Sequence, residues 1–438
     1  MQNSLSELSE IRRLMSSGQL AEAERLCRQT LKLNPQLAEV WFLFAQVALA
    51  FKQVSDALHC VQQACRLEPH HQHYLILQAH ILFEIGDAAA AYQLLKPVMT
   101  PEQPVSVQQL FGRASWRAGY FNDALKGFAV CAAAAPVSET YILPYARALA
   151  GLGERKQLAQ QLNSVQGTAG FGAELALLSL HVKLEDEPIA HVLEQALQYG
   201  KAFPQHKGIG QFAALLATWQ GDLQFSAECF AQYYQRQSLQ YVFAVRDKHT
   251  KLAGLPTDVL QHAATHASQG GLWLEFGVCF GRSINILAKF RQGVMHGFDS
   301  FQGLPEDWKP GEPKGSYSTG GRLPEVADNV QLHTGWFEHS LPDFLVRHQG
   351  PVSLVHIDCD LYSSTRTVLS LLADRLIVGS VIVFDDFLGF DSFEQHEFKA
   401  FSEFTEQYGF DFKLISYVAL SREVAFQLVS LRQSGVAN

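Results

Sequence analysis

The 438 residues are 47% hydrophobic and 18% charged, enough apolar side chain for two or three packed cores and too little charge for a disordered chain. With 34 basic against 43 acidic residues the net charge is −9, which argues against holding nucleic acid by bulk electrostatics. The seven cysteines form no Cys-x-x-Cys pair, so neither a zinc cluster nor a disulfide framework is expected, and a reducing cytoplasm fits them best. No run of about 18 apolar residues suggests a membrane span, and the opening Met1-Gln-Asn-Ser-Leu-Ser-Glu lacks the pattern of a signal peptide.

Residues 1–236 read as helices with an internal period. Pro35 and Pro69 stand 34 apart, and Ala23, Ala57, Ala91 and Ala124 follow at intervals of 34, 34 and 33. Gly86, Gly119, Gly153 and Gly221 keep the same spacing, and Gln-Gly-Asp-Leu-Gln at 220–224 repeats the texture of Ser-Gly-Gln-Leu-Ala-Glu-Ala-Glu at 17–24. This period resembles tetratricopeptide repeats, which implies stacked helical hairpins: small residues where helices touch, Gly at the turn, and Pro after the second helix. His70, His71 and His73 fall in an inter-repeat turn and are expected to be a solvated loop, while Trp41, Phe42, Phe44 and Phe51 are expected in the helix-packing core.

Near residue 237 the pattern changes, and 237–250 is expected to be a linker before a second domain at 251–432. Leu272–Phe276, Val294–Asp299, Val330–His333, Val352–Asp358 and Val381–Asp385 read as buried strands alternating with helices such as Arg282–Phe290 and Ser363–Leu376. That alternation predicts a doubly wound, Rossmann-like parallel sheet. Phe412–Ala419 and Val424–Val429, joined by Leu420-Ser-Arg-Glu423, predict a closing antiparallel hairpin.

Three groups of residues carry chemistry. Glu275-Phe-Gly277-Val-Cys-Phe-Gly281 ends the first of these strands with two glycines, not the three of a pyrophosphate nest, and so favours a ligand such as S-adenosylmethionine. Glu275 is placed to receive that ligand's ammonium, directly or through water, and Asp299, 18 residues after Gly281, to accept from ribose hydroxyls. Ser283 and Ser300 complete the expected cofactor set. His356-Ile-Asp358-Cys-Asp360-Leu-Tyr362 and Asp385-Asp386 end two further strands at the same sheet edge. Four converging carboxylates repel one another unless a hard cation such as Mg2+ sits among them. The competing reading is that these residues cap helices and turns.

His296-Gly-Phe-Asp-Ser-Phe-Gln-Gly-Leu-Pro-Glu306, His356–Thr365 and Gly379-Ser-Val-Ile-Val-Phe-Asp-Asp386 together resemble the macrocin O-methyltransferase family (TylF/MycF type) over about residues 250–430. The resemblance implies a class I fold that uses S-adenosylmethionine and Mg2+ to methylate a sugar hydroxyl. It implies Asp360, Asp385 and Asp386 as metal ligands and Asp358 as base, with the division between Asp358 and Asp360 open. Phe387–His396 is more aromatic and acidic than the family's corresponding segment, and the antibiotic-tailoring members lack the repeats, so their substrate does not transfer. The expected partners are a sugar or glycan acceptor and a protein on the repeats. The alternative function is a repeat scaffold whose second half methylates a recruited protein or only binds S-adenosylmethionine.

Overall fold

The computed structural model describes residues 2–221, 230 and 233–431; Cys229, residues 222–224 of the repeat texture and residue 432 lie outside this set. The chain divides into two compact units, Met1–Pro136 and Val137–Asn438.

The first unit is a run of antiparallel helices: α1 (Gln2–Ser16), α2 (Leu20–Leu33), α3 (Ala38–Ala50), α4 (Val54–Leu67), α5 (Gln72–Glu84), α6 (Ala88–Leu95), α7 (Val105–Arg117) and α8 (Phe121–Ala134). The periodic alanines explain the close packing: Ala23, Ala57, Ala91 and Ala124 are all fully buried. The turns between hairpin helices need a left-handed residue. Gly18, Gly86 and Gly119 supply it, but in the α3–α4 turn the position is Lys52, at φ 60°. Phe44 is core, whereas Phe51 at the end of α3 is 40% exposed, because it caps the helix where the chain turns outward.

The second unit begins with further helices, α9 (Glu139–Gly151), α10 (Arg155–Val165), α11 (Ala173–Asp186), α12 (Ile189–Ala202), α13 (Lys207–Gln220) and α14 (Tyr233–Val245). It continues through β1 (Lys251–Ala253), α15 (Pro256–His266), β2 (Leu272–Phe276), α16 (Arg282–Ala288), β3 (Met295–Asp299), β4 (Val330–Thr334) and α17 (Phe337–Arg347). It closes with β5 (Val352–Ile357), α18 (Tyr362–Leu372), β6 (Leu376–Phe384), α19 (Glu397–Tyr408), β7 (Phe410–Val418) and β8 (Val424–Leu431). The eight strands run in the order β1-β7-β8-β6-β5-β2-β3-β4. All neighbours are parallel except β8, which is antiparallel to both β6 and β7. The doubly wound sheet and its closing hairpin are therefore as the sequence implied, with the short β1 added at the edge.

The later helices and the sheet share one core. Leu180, Phe212, Leu239 and Val242 belong to the same buried cluster as Leu274, Val355 and Phe384. Within the stretch expected as a linker, 237–250, Ser238, Leu239 and Val242 are buried. Polar contacts tie the same faces: Arg155 to Asp258 at 2.9 Å, Lys251 to Glu185 at 3.2 Å, and His181 Nδ1 to the Gly254 carbonyl at 2.8 Å.

Candidate functional site

The strand register sets the site. Glu275 of β2 lies opposite His356 of β5, and His356 lies opposite Val383 of β6, so the ends of these three strands open on one edge. Beyond the last pairs, the Asp358 N–H donates to the Phe276 carbonyl and the Asp385 N–H to the Ile357 carbonyl, both within 3.0 Å. The chain passes so close here that a Cβ on Gly277 would lie 1.7 Å from the Asp358 oxygen; with φ +92° as well, no other residue fits.

Of the expected cofactor residues, Glu275 is fully buried. Its Oε1 accepts from Ser283 Oγ at 3.1 Å and its Oε2 faces His356 Nδ1 at 2.9 Å. Burial is the main influence raising the Glu275 pKa, against the lowering effect of His356. Gly281, at φ +80°, begins the turn into α16, where an added Cβ would press on Pro324 at 3.1 Å. Asp299 accepts backbone N–H groups from Cys279 and Phe301, each at 2.7 Å. It thus holds the glycine turn and the following loop, as the capping reading anticipates, and it stands beside Ser300 at the end of β3. Ser300 Oγ accepts from the Gln302 N–H at 3.1 Å.

Of the four expected aspartates, Asp358, Asp360 and Asp386 bring one carboxylate oxygen each within 4.8 Å of one another. Asp385, expected among the metal ligands, is outside that group. Its N–H still continues the ladder just past the end of β6, and its charge acts on both Asp358 and Asp386. Asp360 and Asp386 are buried and Asp358 is half-buried. Burial first, then the charges of Asp385, Asp360 and Asp386, hold Asp358 well above the usual carboxylate range. Asp360 is raised likewise by burial and Asp386. It sits at φ 61°, a left-handed conformation that costs a non-glycine residue about 1–2 kcal/mol.

Three further groups belong here that sequence reading missed. Glu397, at the start of α19, is fully buried; its Oε2 accepts from the Asp386 N–H at 3.2 Å and its Oε1 has no partner. Arg422, in the hairpin turn read only as a connection, donates to Asp386 Oδ1 at 2.5 Å. His356 opens the motif at the end of β5, and the parallel register against Glu275 is the signal that marks its role. Nothing in the local sequence marks Glu397, which reaches the site only through the loop after β6. Cys359 is buried with Sγ 3.5 Å from Thr365 Oγ1, and Cys279 is raised to about 12, chiefly by burial, so neither is an activated thiol.

A carboxylate-only set with an orphaned buried oxygen beside it is the donor chemistry of a hard divalent cation. The two-glycine turn with a buried acid and a half-buried serine fits a cofactor that carries an ammonium and no pyrophosphate.

Residues 274–387 match the family model of a methyltransferase domain, and residues 14–81 that of a tetratricopeptide repeat. The chain thus carries a methyltransferase domain in its C-terminal part and tetratricopeptide repeats in its N-terminal part. Among solved structures, the O-methyltransferase NovP is similar at 18% identity over 40% of this chain and 78% of its own, with a TM-score of 0.31. Pseudomonas aeruginosa pilF is similar at 18% identity over 48% of this chain and 96% of its own, TM-score 0.37. YrrB, a tetratricopeptide protein with a peptide-binding site, is similar at 17% identity over 36% and 82%, TM-score 0.34. No curated protein is significantly similar to the chain. Among the described residues no helix is long and apolar enough to cross a membrane.

Proposed function

We propose that the chain is an S-adenosylmethionine-dependent O-methyltransferase that uses a divalent cation, Mg2+ by preference, to methylate a hydroxyl of a sugar or glycan. Its repeats would recruit the acceptor or a protein partner. The observation that carries this reading is the convergence of Asp358, Asp360 and Asp386 at the strand edge that also holds the glycine turn. When bound, the cofactor supplies the methyl group on a sulfonium and the cation lowers the pKa of the acceptor hydroxyl. Glu275, Gly277, Gly281, Ser283, Asp299 and Ser300 would hold the cofactor. The buried Asp360 and Asp386 would hold the cation together with Asp385, and Asp358 stands beside them.

Asp358 lies within reach of Asp360 and Asp386, and in this reading it takes the hydroxyl proton. Arg422 offsets part of the charge at Asp386, and Glu397 stands behind it. The sheet edge brings donor and acceptor together, which contributes through orientation. Calorimetry on the intact chain tests the cofactor: S-adenosylmethionine should bind and NAD should not. Tight NAD binding with none of S-adenosylmethionine would overturn the reading. Mass spectrometry of cell-surface glycans from a strain lacking the protein should show the loss of single methyl groups.

A further inference from the structure

Glu275 and His356 form a pair with no exposed surface, fixed by the β2–β5 register at 2.9 Å. A carboxylate offers only acceptors, so His356 Nδ1 is the donor. His356 Nε2 is buried without a partner, so the ring's polar interactions reduce to that one bond. The other oxygen of Glu275 accepts a hydrogen bond from the Ser283 hydroxyl at 3.1 Å. Ser283 is half-buried, and it is the one member of the three that reaches the surface of the glycine turn. A hydroxyl whose proton is committed inward presents only lone pairs outward, backed here by a carboxylate. It accepts from a cationic N–H donor and has no hydrogen left for an acceptor.

We propose that His356 is a positioning residue for the amino-acid end of the cofactor. It locks Glu275 so that Ser283 faces the ligand's ammonium as an acceptor. This rests on the reading of the site as an S-adenosylmethionine pocket. The ring is needed only for its Nδ1 donor, and the side-chain amide of asparagine places a nitrogen at the same point. His356→Asn should therefore preserve what His356→Leu destroys.

The test is calorimetry on the full chain with two nucleosides, S-adenosylhomocysteine and 5′-methylthioadenosine, which lacks the amino-acid moiety. Wild type should prefer S-adenosylhomocysteine. His356→Leu should cut that preference about ten- to a hundredfold, the range of a hydrogen bond to a charged group, and His356→Asn should keep it. The affinity for methylthioadenosine should stay constant in both variants, which reports an intact fold and adenosine pocket. If His356→Leu does not fold, Ser283→Ala carries the test from the surface side and should lose the same preference. Full discrimination in His356→Leu or Ser283→Ala, or equal loss in His356→Asn and His356→Leu, would overturn the proposal. Wild type that binds both nucleosides equally well would overturn it alone; wild type that binds neither would remove the cofactor reading as well.

Discussion

Replacing Arg155 with methionine should loosen the join between the later helices and the sheet, by an amount the geometry sets. Arg155 Nη1 lies 2.9 Å from Asp258 Oδ1, and the Asp258 side chain is only 5% exposed. Its other nitrogen reaches the Val182 carbonyl and Asp186. Asp258 also accepts from the Leu255 N–H, closing the first turn of α15. Removing one partner of a buried pair typically costs about 3–5 kcal/mol. Arg155 is 22% exposed, so water can reach part of the vacated site, and about 2–3 kcal/mol is the expected loss.

The pH dependence is more specific. Burial pushes Asp258 up to about 6, even though Arg155 pulls it down. The raised folded pKa means that ionising Asp258 opposes folding, with the full cost present above about pH 6 and gone only below about pH 3, where the group is protonated in both states. Arg155 offsets that cost, so Arg155→Met should destabilise most at pH 7.5 and much less at pH 5. Because the chain has two compact units, amide hydrogen exchange across 251–266 is the suitable assay, with Met1–Pro136 as internal control. Equal loss of protection at both pH values, or none at pH 7.5, would refute the reasoning.

Lys52→Gly should raise the stability of the first unit by about 1 kcal/mol, since the left-handed turn position then carries no Cβ; a lower urea midpoint would contradict this. His181 is held to about 4, chiefly by burial. A histidine depressed in this way stabilises fully above its unfolded pKa of about 6.5 and loses about 2 kcal/mol by pH 5. His181→Asn keeps the donor to Gly254 without titrating, so it should flatten the fall in stability between pH 7 and pH 5. A fragment beginning at Val137 should fold and bind cofactor, whereas one beginning at residue 238 strips Arg155 and His181 from their partners and should aggregate; light scattering and cofactor titration separate the two.

The repeat period was legible because steric need repeats with it: the fully buried alanines and the left-handed glycines recur at 34-residue steps. The strands were legible because sheets buried on both faces demand unbroken apolar runs. Their ends shifted by a few residues, most at β6, which begins at Leu376 and not at Val381 because Gly379 interrupts the apolar pattern without ending the strand. What adjacency in sequence cannot express was missed. The packing of α14 on the segment after Asp386, through Tyr241 against Phe387 and Phe398, is a contact across more than 140 positions. The close approach of Asp358 to Asp360 and Asp386 depends on how the chain leaves two separate strand ends, and a motif does not record that.

The most direct measurement is transfer of labelled methyl from S-adenosylmethionine to the glycan fraction of a strain lacking the protein, with and without EDTA. The account predicts incorporation by the wild-type chain, its loss in EDTA, its return with added magnesium, and its absence in Asp360→Asn and Asp386→Asn chains that still bind the cofactor. Undiminished incorporation in EDTA, or in the Asp386→Asn chain, would contradict it.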